Sequence, residues 1–339
     1  MAGNPDKHFL NIGLKYSRKN GLEILKLIDS IGKVTAKSPD RSQTHGNRKT
    51  ILQEKCTQVQ ETDIDNITPV YFYSKSNNVA FCKAPKTGST FIGIVVNLLE
   101  YEGNLKENMF YVNREIVHGR NEATLGTVMK RRSRDMKMTL VTRDPYTRLF
   151  SAYLDKYFIL GIWGRELAKT IAKSHRKIRD GFCGFDISFD EFLNYVTNIS
   201  LGDRRVDRHV LPVSSLCHPC SVRYDVICKQ ETLTSDTEHV LEVMNITDQK
   251  RRAVMDMIGR KTQKDNLPAF TADSVTSLII EQIHRSPVTE RQRLRQRERA
   301  LRDAYDSVKS DTIAKVQTRF SQDFQLFSYD RSPPHFVQR

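Results

Sequence analysis

The sequence predicts an α/β fold, a central parallel sheet flanked by helices, and two stretches carry that prediction. Residues 79–101 run from a short apolar strand, Val79 to Cys82, through a polar turn into a helix with apolar residues at Phe91, Ile94, Val95, Leu98 and Leu99. Residues 138–157 repeat the pattern: an apolar strand, a charged corner at Arg143 and Asp144, Pro145 at a first helical position, then a second helix. Two such units place both turns at the carboxyl edge of one sheet, where open α/β sheets bind nucleotides.

The first turn is suited to an anion. Gly88 lets the backbone approach a ligand closely, Ser89 or Thr90 can cap the helix, and the free N–H groups of the first helical turn point outward. Lys86 adds a mobile positive charge with three donors, so a phosphate or sulfate is the natural occupant. The nucleotide-hydrolase loop G-x-x-x-x-G-K-[ST] carries its lysine after the glycine. Here Lys86 precedes Gly88, which argues against an ordinary ATPase or nucleotide kinase. Taken alone, the stretch also describes a plain helix start with a solvated lysine. The second unit changes that balance, because Arg143 at the strand end and Ser151 about two turns along its helix can face one ligand.

At these two stretches the chain resembles the PAPS-dependent sulfotransferases, with Pro85 to Thr90 similar to their 5′-phosphosulfate loop and Arg143 to Ser151 to their 3′-phosphate motif. The closest likeness is to the Golgi carbohydrate sulfotransferases that include the chondroitin and dermatan 4-O enzymes and the HNK-1 enzyme. Those carry a C-x-x-P-K loop, as in Cys82 to Lys86, and an R-[DE]-P-[FY]-x-R-L-x-S-A-Y run, as in Arg143 to Tyr153. Residues 209–232 and 323–329 match as well, so the resemblance covers Cys56 to Tyr329 and implies a P-loop-like sulfotransferase fold.

Composition fits a folded enzyme: 339 residues with 38% hydrophobic content can bury a large core, and a formal charge of +14 predicts polyanionic company. Charge alone does not choose among nucleic acid, anionic lipid and acidic glycan. We expect a basic polar N-terminal segment over residues 1–55, ordered only in part, a sulfotransferase domain over 56–330 and a tail over 331–339. No apolar run in residues 1–55 approaches the ~20 residues of a membrane helix or the shorter core of a signal peptide. The resemblance implies a type II Golgi protein with an N-terminal anchor, so either the anchor is missing from this sequence or the protein is not secretory. Sequons at Asn66, Asn198 and Asn245 and an even set of six cysteines favour the first.

Residues 102–137 read as an irregular, helix-containing crossover in which His118 stands out. The family carries a histidine at about this distance after the phosphosulfate loop, which makes His118 a candidate for the acceptor site; the alternative is a partly buried histidine that orders the crossover. Residues 165–181 place Leu167, Ile171 and Ile178 at helical spacing among many bases, either a helix with a solvated face or one wall of a groove for an acidic polysaccharide. Ser188 with Glu191 forms a capping box ahead of an amphipathic helix. His209 can titrate near neutrality beside Asp207, and the neighbouring arginines suit carboxylate or phosphate. Cys217 and Cys220 form the lone C-x-x-C; a structural zinc site wants two such pairs, so a disulfide or packed thiols precede zinc as the expectation. Tyr224 to Leu233 reads as a strand entering an acidic turn. Leu294, Leu301, Tyr305 and Val308 mark a docked basic helix rather than a nucleic-acid arm, and Phe324, Leu326, Phe327 and Tyr329 pack the tail.

The resemblance implies transfer of the sulfuryl group of PAPS to a glycan hydroxyl, with no metal required. Lys86 would neutralise the leaving phosphate, Thr87, Gly88, Ser89, Thr90 and Phe91 would cradle the phosphosulfate behind Pro85, and Arg143 and Ser151 would hold the 3′-phosphate. The proton acceptor falls to His118 first or His209, with Glu231 and Asp207 behind them. Within the family, 4-O-sulfation of N-acetylgalactosamine in chondroitin or dermatan is the first expectation and glucuronate 3-O-sulfation the second. A catalytically silent polyanion-binding protein is the rival from another class.

Overall fold

The computed structural model describes residues 41–59, 67–101, 114–133, 135–158, 168, 170–173, 187–200, 206–261 and 290–334. A five-stranded sheet organises them, with strands β1 (Val70–Ser74), β2 (Val79–Cys82), β3 (Glu122–Thr124), β4 (Lys137–Thr142) and β5 (Val226–Lys229) in the order β3-β1-β2-β4-β5. β2, β4 and β5 are parallel, with Ala80 opposite Met138 and Leu140 opposite Ile227. They are buried on both faces, which is why they read as continuous apolar runs. β1 and β3 extend one edge in antiparallel fashion, so the sheet is mixed, and its parallel part is the part that carries the two turns. β1 is nearly all buried and β3 is three residues long, so neither shows the period-two alternation that would announce it.

Helix α1 (Arg41–Cys56) lies within the segment expected to be basic and polar, yet it docks on the sheet. Leu52 is buried, Arg48 Nη1 reaches Asp236 at 2.6 Å, and Cys56 is disulfide-bonded to Cys220. Helix α2 (Ser89–Glu100) follows β2 and is buried all round from Ile92 to Leu99. The short helices α3 (Arg114–Gly119) and α4 (Leu125–Lys130) flank β3 in the crossover. Helix α5 (Pro145–Ala152) starts as expected, with Pro145 in its first turn and Asp144 accepting from the Thr147 backbone N–H at 2.8 Å.

After α5 the chain forms a π-helical turn, Tyr153–Phe158, then α6 (Phe189–Asn198), where the Ser188–Glu191 capping box is present as expected. A 3₁₀ turn (Arg208–Val210) leads into α7 (Val213–Cys217), and β5 leads through residues 230–232 into α8 (Leu233–Val243) and α9 (Asp248–Lys261). Helices α10 (Glu290–Asp306), α11 (Ser310–Arg319) and α12 (Ser321–Leu326) close the fold. Tyr305, Phe324, Leu326 and Phe327 are buried, and Leu301 and Val308 pack on the same core, in line with a docked helix and a packed tail. Among the described residues no helix is long and apolar enough to cross a membrane. The expected helix over 165–181 falls mostly outside the described residues, although Ala168, Ile171 and Ala172 are buried in the core.

Candidate functional site

Both turns sit at the carboxyl edge of the parallel strands, and the structure ties them into one unit. The backbone of the first turn is unusual: Lys86 has φ 67° and Gly88 has φ 94°, two left-handed residues separated by Thr87. Such alternation turns successive N–H groups toward one point and forms an anion-binding concavity. The Thr87 hydroxyl donates to the Ala84 carbonyl at 2.8 Å and closes the turn from within. Two arginines from the second unit grip consecutive carbonyls of the loop. Arg148 Nε donates to the Pro85 carbonyl at 2.9 Å and Arg143 Nη1 to the Lys86 carbonyl at 2.9 Å. Arg148 Nη1 also donates to the Leu211 carbonyl at 2.6 Å, so one guanidinium joins the loop to the segment that carries His209.

Gly88 is the N-cap of α2, and among the described residues no side chain caps that helix. This corrects the expectation of a Ser89 or Thr90 cap. The φ of 94° suits glycine, and the Thr90 hydroxyl is engaged elsewhere, 2.9 Å from His118 Nε2. The N–H groups of the first turn are therefore left to an external acceptor. A Cβ on Gly88 would lie 2.4 Å from Leu233 Cδ2, so the loop passes closely beneath the start of α8. Phe91 faces the other way and packs on the apolar core.

His118 is thus held at the first turn of α2 by Thr90, and its main-chain carbonyl accepts from Lys83 Nζ at 2.8 Å. Lys83 also pairs with Glu122 and lies over the Phe72 ring, so the crossover is fastened to the loop strand. His209 is linked through Arg148 rather than through the loop itself. Its Nδ1 lies 2.6 Å from Asp207 Oδ1, and the ring is partly exposed. Burial alone would raise the Asp207 carboxyl, but the hydrogen bond and charge of His209 outweigh it and hold the group below its usual value. Glu231 serves a different purpose: it accepts from the Asp144 N–H at 3.0 Å and the Tyr329 hydroxyl at 3.1 Å, joining the second turn to the C-terminal tail.

The electrostatics favour an anion. Burial, with the like charge of Arg297, presses Arg143 down to about 9, and burial presses Arg148 down to about 10 despite Asp323 and Asp207 nearby. Arg148 Nη2 is buried with no hydrogen-bond partner among the described residues. Ser151 is nearly buried on α5, two turns beyond Arg143 and on the side of the helix that continues toward Asp155. Asp155 was not foreseen. Its Oδ2 receives Lys86 Nζ at 2.9 Å, and no motif points to it.

Cys217 and Cys220 pair neither with each other nor with a zinc ion. Cys217 is bonded to Cys82 at the entrance of the loop and Cys220 to Cys56, so neither is free as a thiolate ligand. Cys228 is a buried free thiol, and Cys183 lies outside the described residues. No cluster of metal-ligating side chains occurs among the described residues.

Residues 69–330 match the Sulfotransferase family. Among curated proteins, the chain is 26% identical over 335 residues to carbohydrate sulfotransferase 10 of Rattus norvegicus, covering 90% of this chain and 81% of that protein. It is 33% identical over 106 residues to carbohydrate sulfotransferase 14 of Danio rerio, 30% of this chain and 28% of that protein. With carbohydrate sulfotransferase 11 of Mus musculus the identity is 26% over 183 residues, 51% of this chain and 52% of that protein. No solved structure matches the chain.

Proposed function

The chain belongs to the sulfotransferase family, and we propose that it is a carbohydrate sulfotransferase moving the sulfuryl group of PAPS to a glycan hydroxyl. One observation carries the reading: the uncapped, doubly left-handed loop at Lys86 and Gly88 is gripped by Arg143 and Arg148 and adjoined by His118, so anion site and candidate base lie together. In the reaction the acceptor oxygen bonds to sulfur, the bond from sulfur to the 5′-phosphate oxygen breaks, and adenosine 3′,5′-bisphosphate leaves. The acceptor proton passes to a base. Little covalent help is needed, so the work of the chain is positioning and charge.

Each residue has a role in that scheme. Lys86 meets the charge that grows on the leaving phosphate, and the N–H groups of 87–91 hold the phosphosulfate at the start of α2. Arg143 and Ser151 receive the 3′-phosphate, which selects PAPS over ATP; the Arg143 charge is already poorly neutralised in its buried position, so an anion there is favoured. His118 takes the acceptor proton, its imidazole standing beside the loop against Thr90. His209, oriented by Asp207 on the segment that Arg148 ties to the loop through the Leu211 carbonyl, contacts the acceptor.

The formal charge of +14 suits an acceptor bearing uronate or sulfate, and 4-O of N-acetylgalactosamine in chondroitin or dermatan is the acceptor we propose. A luminal Golgi setting fits two disulfides, which persist in oxidising compartments, and exposed sequon asparagines Asn198 and Asn245. The test is incubation with PAPS and a panel of desulfated glycans, followed by disaccharide analysis. Sulfate at the 4-position of N-acetylgalactosamine is expected; product carrying sulfate on glucuronate alone moves the acceptor assignment, and no product from any glycan defeats the enzyme reading.

A further inference from the structure

Asp155 lies outside the phosphosulfate loop and the 3′-phosphate motif, and the transfer scheme assigns it nothing. Its carboxylate nevertheless holds the one side chain that scheme depends on most, with Asp155 Oδ2 2.9 Å from Lys86 Nζ and both side chains mostly buried, 17% and 10% exposed. The contact is built into the fold. At Ala152 the α-helix gives way to the π-helical turn Tyr153–Phe158, a distortion that recurs at functional positions because the wider turn re-aims side chains. The turn is fixed on its other side: the Tyr153 hydroxyl donates to the Ile187 carbonyl at 2.5 Å, and Tyr153 and Leu154 are buried. Asp155 is therefore held against the loop by packing rather than swinging on the surface. Lys156 stands 4.0 Å from the same carboxylate oxygen and does not displace Lys86 from it.

The position conflicts with the donor. PAPS and its product bring phosphate charge to the Lys86 ammonium, and a fixed carboxylate at hydrogen-bond distance from the same ammonium repels that charge. Lys86 is also the residue with a left-handed backbone, anchored through its carbonyl to Arg143, so its side chain can turn while its root stays in place. Resting on the donor-site reading above, we propose that Asp155 is a positioning residue acting through Lys86: it occupies the ammonium when the loop is empty, and the nucleotide must displace it. The carboxylate then serves as an internal stand-in for the phosphosulfate. It keeps the lysine aimed at the loop, and it weakens nucleotide binding enough for the product to leave.

The proposal separates competition for Lys86 from a general effect of one negative charge near an anionic ligand. Calorimetric titration with adenosine 3′,5′-bisphosphate on the full chain compares the wild type with Asp155→Asn, Lys86→Ala and the double variant, each checked by thermal unfolding. An Asp155→Ser variant covers the case in which the asparagine disturbs the π-helical turn. Removing a competing partly buried ion pair should tighten the nucleotide by about fivefold to tenfold. In the Lys86→Ala background the same change should alter affinity by less than about twofold, because no ammonium is left to compete for. The KM for PAPS and kcat should fall together in Asp155→Asn, as product release slows. Unchanged or weaker binding by Asp155→Asn overturns the proposal, and so does equal tightening in both backgrounds. A wild-type chain that does not bind the nucleotide overturns the donor-site reading itself, a result distinct from either of these.

Discussion

In the proposed scheme Lys86 carries two separable loads, a charge for the chemistry and a left-handed backbone for the loop, and replacing it by glycine and by alanine tells them apart. Both substitutions remove the ammonium and its 2.9 Å contact with Asp155. Alanine keeps the β-carbon that makes φ 67° costly, whereas glycine does not. Left-handed backbone costs an L-residue ~1–2 kcal/mol, and the extra freedom of unfolded glycine takes back ~0.5–1 kcal/mol. The glycine variant should therefore be the more stable of the two by up to about 1.5 kcal/mol, a Tm difference of up to about 3–6 °C for a domain of this size. Activity should not follow that order. Loss of one preorganised charge at a transition state typically lowers turnover by ~10² to 10³, so both variants should be nearly inactive. Differential scanning calorimetry and label transfer from PAPS to desulfated chondroitin measure the two quantities on the same preparations. An alanine variant more stable than the glycine variant would refute the strained-backbone reading, and near-normal turnover in either would remove Lys86 from the mechanism.

Four further outcomes are expected. Gly88→Ala places a Cβ 2.4 Å from Leu233 Cδ2 at a φ of 94°, so Leu233 must move and the loop with it; we expect ~1–3 kcal/mol lost in thermal unfolding and a clear fall in affinity for adenosine 3′,5′-bisphosphate by calorimetry. Asp236 accepts from Arg48 at 2.6 Å, the Lys229 N–H at 2.8 Å and the Thr232 hydroxyl at 2.8 Å while almost fully buried, so Asp236→Asn should cost ~3 kcal/mol in urea unfolding, and a loss under ~0.5 kcal/mol would refute the network. Burial alone would raise the Asp236 carboxyl, but His45, Arg48 and the Lys229 N–H outweigh it and hold the group below 3.8; its contribution is present above that pH and is lost as the pH falls through its lower folded value, so the stability of Asp236→Asn should vary less with pH in that acid range. Asn245, exposed with φ 53° between α8 and α9, and Asn198, exposed at the end of α6, should carry N-glycans when the chain is directed into the secretory route of animal cells, and unmodified peptides at both by mass spectrometry would count against a luminal life.

What could be read in advance follows from where the determining contacts lie along the chain. The Val79–Cys82 and Lys137–Thr142 strands are buried on both faces and followed by helices with long apolar stripes, so local pattern was enough to place them. Pro145 and the Ser188–Glu191 box are terminal signals that act over three or four residues, and they stand where their chemistry requires. The N-cap of α2 was misread for a related reason. The hydroxyls of Ser89 and Thr90 look like caps locally, but a histidine twenty-eight positions away engages Thr90, and the left-handed turn reserves the cap position for Gly88. The C-x-x-C pair was ambiguous in the same way, because Cys217 and Cys220 find partners 135 and 164 residues away.

The site itself divides along that line. The loop geometry behind the proposed anion site is local, set by Lys86, Gly88 and the first turn of α2, and the sequence motif is the outward sign of that geometry. Its control is remote: Arg143 and Arg148 hold the loop from 57 and 63 residues away, Asp155 holds the lysine from 69, and His118 arrives from the crossover. Arg148 shows why such partners leave no local trace. It reads as one basic residue on an amphipathic helix, yet it is fully buried, donates to the carbonyls of Pro85 and Leu211, and has no partner for Nη2 among the described residues. Buried guanidinium groups that donate to carbonyls rather than carboxylates remain poorly neutralised, and the lowered values of Arg143 and Arg148 record the cost. An anion bound at the proposed donor site would offset that cost, so the same two residues that fix the loop backbone also favour a negative ligand beside it.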